Sequence, residues 1–368
     1  MKIFPFQAIY PQFKLVASTD SFIKSVKHQF LKYKETGFFE KSSKEALFIH
    51  EIIKNKRTYR GIIASASLED YIDESVLIHE KTLASKRQIT MELIINREAI
   101  IKPILVAYDQ SKDIDAIVKK VVDGSEPMYS TLFEEDKIRH NFYQIDEPKL
   151  IEKICLQFEK VKTSFLADGH HRRAVVIDLF KNGQLGKKNL KRKSLLTAFF
   201  PFSDLDIHDF NRIVDVFDII SPVRFIIELT KYFKVKNIKG PKKPNKKFVI
   251  TAYLNGEWLE LKWKKSILNK FKDQDVLLDA QLLNTFIFEE LLNIEDVRQT
   301  QRIKYIEGVK ELSQVMNIVN ADFKKIAFFV SAVDKEELKQ VARDKKSMPP
   351  KSTWFEPRLK NGLIVEEW

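Results

Sequence analysis

Phe165-Leu166-Ala167-Asp168-Gly169-His170-His171-Arg172 is the stretch on which the fold turns. Three apolar residues read as the end of a buried strand, a glycine permits a tight turn, and Arg173 to Lys181 continues with helical spacing. A strand passing through glycine into a helix is a unit of α/β architecture. It leaves the first backbone N–H groups of the helix unpaired at the positive end of the helix dipole, a place that binds phosphate well. His170, His171 and Arg172 add donors and positive charge there, while Asp168 is placed to orient a histidine or to help hold a magnesium ion. The competing reading is structural: Asp168 caps the helix, Arg172 pairs with it, and the histidines are satisfied at the surface. Adjacent histidines do not share a helix face as residues at i and i+4 do, which argues against zinc.

Working outward, the first half alternates strand-like and helical patterns. Ala46 to His50, Gly61 to Ala66 and Ile104 to Tyr108 read as strands, Ser85 to Ile101 and Ile114 to Val122 as helices, the second ending near Gly124. After Phe217 the organisation changes, with a helix from Val223 to Phe233 and then a hairpin. Phe248 to Leu254 and Glu257 to Trp263 are β-rich runs flanking Asn255-Gly256, the dipeptide that best tolerates the positive φ angles of a type I′ turn. Ile326 to Val330 reads as a strand, Lys335 to Arg343 as a helix and Leu363 to Val365 as a last short strand. The expectation is an α/β (α+β) fold with a core over 1–220, an inserted α+β unit over 221–322 and a C-terminal segment, 323–368, returning to the core and site.

Bulk properties bound the class. A chain of 368 residues, 44% hydrophobic and 31% charged with 28 Phe, is a packed globular protein with room for about two domains. The single cysteine, Cys155, excludes an intramolecular disulfide and any cysteine-rich metal site. With no signal peptide in Met1 to Phe6 and no membrane-length apolar stretch, the expected place is the cytoplasm. The net charge of +12 would suit nucleic acid. Its lysines, however, fall in runs such as Lys187-Lys188, Lys191-Arg192-Lys193, Lys242-Lys243 and Lys246-Lys247, with no interleaved aromatic residues to stack bases. A basic surface suits small anionic substrates as well.

Other residues carry both a chemical and a bland reading. Lys351, Ser352 and Thr353 follow Pro349-Pro350, so a stiffened tail would offer their donors to a phosphate or carboxylate with Trp354 closing over it, or else Trp354 anchors a terminal strand. Arg212 and Arg302 are anion clamps or partners of Asp209 and Glu307. His79-Glu80 lies just before the helix at Ser85, where a carboxylate is as readily a cap as a base.

The segment Phe165 to Arg172 resembles the signature of the uncharacterised-domain (DUF) family numbered 1015, and the resemblance spans almost the whole chain. It includes Pro5-Phe6, Leu68-Glu69-Asp70-Tyr71, His79-Glu80-Lys81-Thr82, Phe210-Asn211-Arg212-Ile213-Val214, and Met348 through Pro357. Two features depart from that pattern: Arg173 stands where relatives often have tyrosine, and a proline-rich tyrosine motif is absent near Ser18-Thr19-Asp20. The family is similar to the free-serine kinases of the ParB and sulfiredoxin superfamily. That resemblance implies a ParB/sulfiredoxin-like core and an Asp168-to-Arg172 segment gripping the phosphates of ADP or ATP with Mg2+. It also implies that Glu80, beside His79, takes the proton from the hydroxyl of free serine.

Two functions from different classes follow. One is a serine kinase-like phosphotransferase that interconverts free L-serine and O-phosphoserine in either direction, with Glu80, His79 and Asp168 as its catalytic residues. The other is a non-catalytic nucleotide-binding regulatory module, or one associated with DNA, as in ParB-like proteins. No helix-turn-helix with a basic recognition face stands out, and His79-Glu80 has no evident purpose in a pure binder, which places the enzyme first.

Overall fold

The computed structural model describes residues 1–82, 84–185 and 193–367. It is a mixed α/β protein that separates into two compact units, Met1–Asp206 with Pro357–Trp368 and Ile207–Glu356. The sequence division at 220/221 and 322/323 is therefore cut differently. Phe210–Asp215 and Lys325–Phe329 pair with each other in one sheet, so both belong to the second unit, and only residues from Pro357 onward return to the first. Lys187, Lys188, Lys191 and Arg192 of the basic run lie outside the described residues.

The first unit is built on a nine-stranded mixed sheet. Its strands are β1 (Ile3–Phe4), β2 (Leu47–Lys54), β3 (Arg57–Ser67), β4 (Val76–Leu77), β5 (Ile104–Tyr108), β6 (Tyr129–Phe133), β7 (Ile138–Ile145), β8 (Ser164–Asp168) and β9 (Ser194–Pro201). The order is β4-β8-β5-β9-β3-β2-β7-β6, with β1 on β3. β5 and β9 bury every residue, and β8 buries all but Asp168, which is why they read as unbroken apolar runs. Helices α1 (Thr19–Glu35), α2 (Ala84–Arg97), α3 (Lys112–Gly124), α4 (Pro148–Glu159) and α5 (His170–Lys181) accompany this sheet. Ser18, near which the tyrosine motif is missing, serves here as the N-cap of α1, its side chain accepting from the Ser21 N–H.

The end of the chain is bound into this unit. Ile9 and Val365 exchange backbone hydrogen bonds of 2.9 Å, Gly362 N–H donates to the Ile101 carbonyl at 2.6 Å, and the Ser65 hydroxyl donates to the buried Glu366 carboxylate at 2.6 Å. Each satisfies polar groups that burial would otherwise leave costly.

The second unit holds an antiparallel six-stranded sheet: β10 (Phe210–Asp215), β11 (Phe233–Ile238), β12 (Val249–Leu254), β13 (Glu257–Trp263), β14 (Ile303–Glu307) and β15 (Lys325–Phe329). The order is β11-β13-β12-β15-β10-β14. The Asn255-Gly256 turn between β12 and β13 takes φ of 47° and 83°, as its sequence requires. Helices α6 (Pro222–Tyr232), α7 (Leu312–Asn320) and α8 (Lys335–Arg343) accompany it, and Trp263, Phe286 and Phe328 lie in its core. Among the described residues no helix is long and apolar enough to cross a membrane.

Within the first sheet, His50 on β2 and His140 on β7 are both buried and share a hydrogen bond of 2.9 Å, with Phe142 stacked on His50 at 4.1 Å. Burial lowers the His50 imidazole to about 3 from its ordinary 6.5. His140 is also held well below that value, by burial first and then by His50 and Lys360. Between those pH limits the unfolded chain binds protons that the folded sheet refuses, so stability falls as pH drops below the ordinary histidine range. His50 alone is expected to cost about 2 kcal/mol by about pH 5. Urea denaturation at about pH 7 and about pH 5 measures this, and a pH-independent midpoint would contradict neutral, buried imidazoles.

Candidate functional site at the start of helix α5

β8 reaches the site through a change of register: Leu166 faces Val106 while Asp168 faces Leu105, which leaves Ala167 as an extra residue and bends the strand. Gly169 then takes φ 103° and ψ 24°. A Cβ there would lie 2.7 Å from Ile104 Cγ2 and 2.8 Å from a terminal nitrogen of Arg172, so both the conformation and the space require glycine. α5 begins at His170, three residues earlier than its periodicity indicates, which places His170, His171 and Arg172 in the first turn. No side chain caps this end, and the first intrahelical bond runs from Arg173 N–H to the Gly169 carbonyl at 2.9 Å.

Asp168 does not cap the helix. It is shared by three cations: Arg172 donates to Oδ2 at 3.1 Å, Lys102 approaches the same oxygen at 3.4 Å, and Arg358 donates to Oδ1 at 3.0 Å. Burial works to raise the Asp168 carboxyl, but Lys102, Arg172 and Arg358 more than offset it and hold it well below the usual carboxylate range. Lys102 is drawn down to about 8, by burial first and then by the two arginines working against the attraction of Asp168. One carboxylate among three cations leaves surplus positive charge beside an uncapped helix start.

The other side of the same turn opens on a cleft of about 500 Å³, lined by Glu80, His170 and Arg173 together with Tyr71, Ile78 and Ile177. His79 is buried and meets His170 edge to face, with ring centroids 4.8 Å apart. Burial lowers His79 to about 4, and burial with His79 beside it holds His170 well below the ordinary range. His170 is therefore neutral at neutral pH and does not supply the positive charge expected of it; Lys102, Arg172 and Arg358 do. Arg173, where relatives often have tyrosine, lines the cleft and donates to the Tyr71 carbonyl. Arg87 of α2 pairs with Asp178 of α5 along the same cleft. His171, in the same first turn, is half-buried.

The structure thus brings together His79, Glu80 and Asp168 through Arg172 within the first unit. The remaining candidates belong to the second. Arg212 is buried and donates to the carbonyls of Phe210 at 2.6 Å and Lys351 at 3.3 Å. Arg302 donates to those of Leu292 at 2.9 Å and Asp215 at 3.4 Å, so both guanidiniums serve backbone groups rather than Asp209 or Glu307. Lys351 Nζ lies over the Phe210 ring at 5.2 Å and the Ser352 hydroxyl donates to the Pro349 carbonyl. Thr353 is half-buried, and Trp354 sets its ring edge against Phe210 at 5.7 Å, as an anchor would. Lys102 and Arg358 escaped sequence reading. Lys102 precedes Pro103 at the entry to β5, and Arg358 directly follows the quoted C-terminal motif.

Magnesium does not fit Asp168 in this arrangement, because both its oxygens are engaged by cations that would repel a divalent ion. Among the described residues no group of three or more His, Cys, Asp or Glu side chains is placed to hold a metal ion.

Residues 7–285 match the family model described as Protein of unknown function (DUF1015). The chain belongs to this family. No curated protein matches this DUF1015 chain in sequence. Among solved structures, a free serine kinase mutant in complex with AMP is similar over 82% of this chain and 90% of its own, at 13% identity and a TM-score of 0.40. SbnI with a C-terminal truncation, from Staphylococcus aureus, is similar over 81% of this chain and 85% of its own, at 11% identity and a TM-score of 0.43. A conserved hypothetical protein from Pyrococcus furiosus is similar over 85% of this chain and 98% of its own, at 12% identity and a TM-score of 0.39. Likenesses this loose leave the chemistry of the DUF1015 site to the chain's own residues.

Gly169→Ala is expected to destabilise the first unit by about 1–3 kcal/mol, because the new methyl group meets Ile104 in a left-handed backbone. Thermal melts measure the loss, and an unshifted midpoint would mean that the turn relaxes freely.

Proposed function

We propose that the protein is a nucleotide-dependent phosphotransferase acting on the hydroxyl of free L-serine, or in reverse on the phosphoryl group of O-phosphoserine. The observation that carries this reading is the shared position of Glu80 and the start of α5: Glu80 and His170 line one cleft, with His79 against the His170 ring. The identity of the substrate comes from the resemblance of Asp168 to Arg172 and of His79-Glu80 to the free-serine kinases.

Phosphoryl transfer asks for positioning, charge neutralisation and a base near the attacking oxygen. The Glu80 carboxylate accepts the proton of the serine hydroxyl as its oxygen attacks the terminal phosphorus of ATP, the bond to the bridging oxygen breaks, and ADP leaves. Run backwards, the phosphoryl group of phosphoserine passes to ADP and Glu80 returns the proton to the serine oxygen. The uncapped N–H groups of α5 and the surplus cations beside Asp168 take the negative charge on the phosphates. His170, which lines the cleft with Glu80, and His79 against its ring are both neutral and do not compete for the charge of Glu80. Magnesium is assigned to the nucleotide rather than to Asp168.

Incubation with magnesium, serine and ATP, or with phosphoserine and ADP, followed by phosphorus NMR, tests the proposal. Turnover is expected in at least one direction, and Glu80→Gln is expected to lower kcat by about 100-fold or more with ADP binding retained. Nucleotide binding without turnover in either direction would leave a regulatory nucleotide-binding module in place of the enzyme. A Glu80→Gln variant as fast as the wild type would remove Glu80 as the base.

A further inference from the structure

Two of the three cations on Asp168 come from outside the segment that the sequence marks for phosphate, and one lies beyond the span matched by the family model. We propose that Lys102, Arg172 and Arg358 form a cradle for the pyrophosphate group of a nucleoside di- or triphosphate, with Asp168 as the carboxylate that holds the three cations in place before the phosphates arrive. The inference rests on the phosphate-binding part of the reading above and not on its chemistry.

Charge is the first argument. A carboxylate is neutralised by one cation, and a second guanidinium on its other oxygen completes its hydrogen bonds. The third cation exceeds what one carboxylate needs: Lys102 is 13% exposed, approaches an oxygen already taken by Arg172, and is drawn down to about 8, by burial first. Such a group is tolerated where an anion relieves it. Arg173 donates to the Tyr71 carbonyl on the cleft side, and Lys102, Arg172 and Arg358 are the charged groups that surround Asp168.

Placement is the second. The three side chains come from three separate stretches that the fold holds rigidly. Lys102 sits between Ile101, whose carbonyl accepts from Gly362, and Pro103, whose carbonyl accepts from Arg172 at 3.4 Å. Arg358 leads a tail fastened by Lys360 to Asp136 at 2.6 Å and by Val365 to Ile9. Cations ordered in advance bind a phosphate with little further loss of entropy. Asp168 and Arg358 keep 24% and 35% of their side-chain surface exposed, so an anion can reach them.

The third argument is the helix itself. α5 runs for 12 residues and offers uncapped N–H groups at this point. In its first turn, the Nε of Arg172 is buried and has no hydrogen-bond partner among the described residues. A buried donor or acceptor left without a partner at an uncapped helix start is what a phosphate oxygen or its bound water would satisfy.

Calorimetric titration of the full chain with ADP, AMP and inorganic pyrophosphate tests the cradle. ADP and pyrophosphate are expected to bind more tightly than AMP. Arg358→Gln and Lys102→Met are each expected to weaken both by roughly ten-fold or more, with a smaller effect on AMP, and Arg358→Lys to recover part of the loss. Thermal melts confirm that each variant is folded, and Arg358, on the exposed side, is the one least exposed to a folding defect. Unchanged affinity in both folded variants, or a wild type that binds neither ADP nor pyrophosphate, overturns the cradle. Because no turnover is involved, binding that depends on these two residues upholds the cradle even where the serine assays fail. Serine phosphorylation with both affinities unchanged would sink the cradle and leave the phosphotransferase standing.

Discussion

How one carboxylate at the end of β8 is neutralised governs the first unit. Asp168 ends a strand whose other residues are all buried, and a charge in that position is costly without partners. Its partners arrive from the entry to β5, the first turn of α5 and the returning tail. Neutralising the charge therefore fixes where three chain segments end relative to one another. The left-handed Gly169 makes this possible, because it turns the chain sharply enough for Arg172 to reach back to Asp168. Strand, turn and helix are local consequences of the sequence, and the cluster is what binds them to the rest of the unit.

That distinction explains what the sequence made legible. The strand into Asp168, the glycine turn and the Asn255-Gly256 hairpin rest on neighbouring residues, and apolar runs and turn chemistry report them directly. Helical spacing marks α5 only from Arg173, because His170, His171 and Arg172 carry no apolar periodicity, while the helix is begun by the turn itself. The tight link between β2 and β3 was also hidden: Asn55 takes φ 55° in a turn that carries no glycine. Arg358 stands 190 residues from Asp168, and no local pattern announces such a pair. Arg212 and Arg302 illustrate the converse, since a guanidinium that serves backbone carbonyls looks the same in sequence as one that awaits an anion.

The two faces of the first turn of α5 differ in their means of handling charge. On one side, the positive field comes from two guanidinium groups and the Lys102 ammonium. On the other, His79 and His170 are kept neutral by burial, so the cleft that contains Glu80 is shaped by polar but uncharged rings. His79 and His170 thus contribute form, and the charge comes from residues around them.

The tail that begins at Pro357 has a further consequence, for the order in which the protein is made. Glu366, which accepts from Ser65 in the centre of the first unit, and Val365, which pairs with Ile9, lie in the stretch that follows the second unit in the chain. All of Ile207–Glu356 emerges before them. The second unit is contiguous and can fold as it is synthesised, whereas the first needs a closing segment that is made only after the second unit. Arg358 belongs to that same stretch, so the charge around Asp168 is completed only after Ile207–Glu356 has been made.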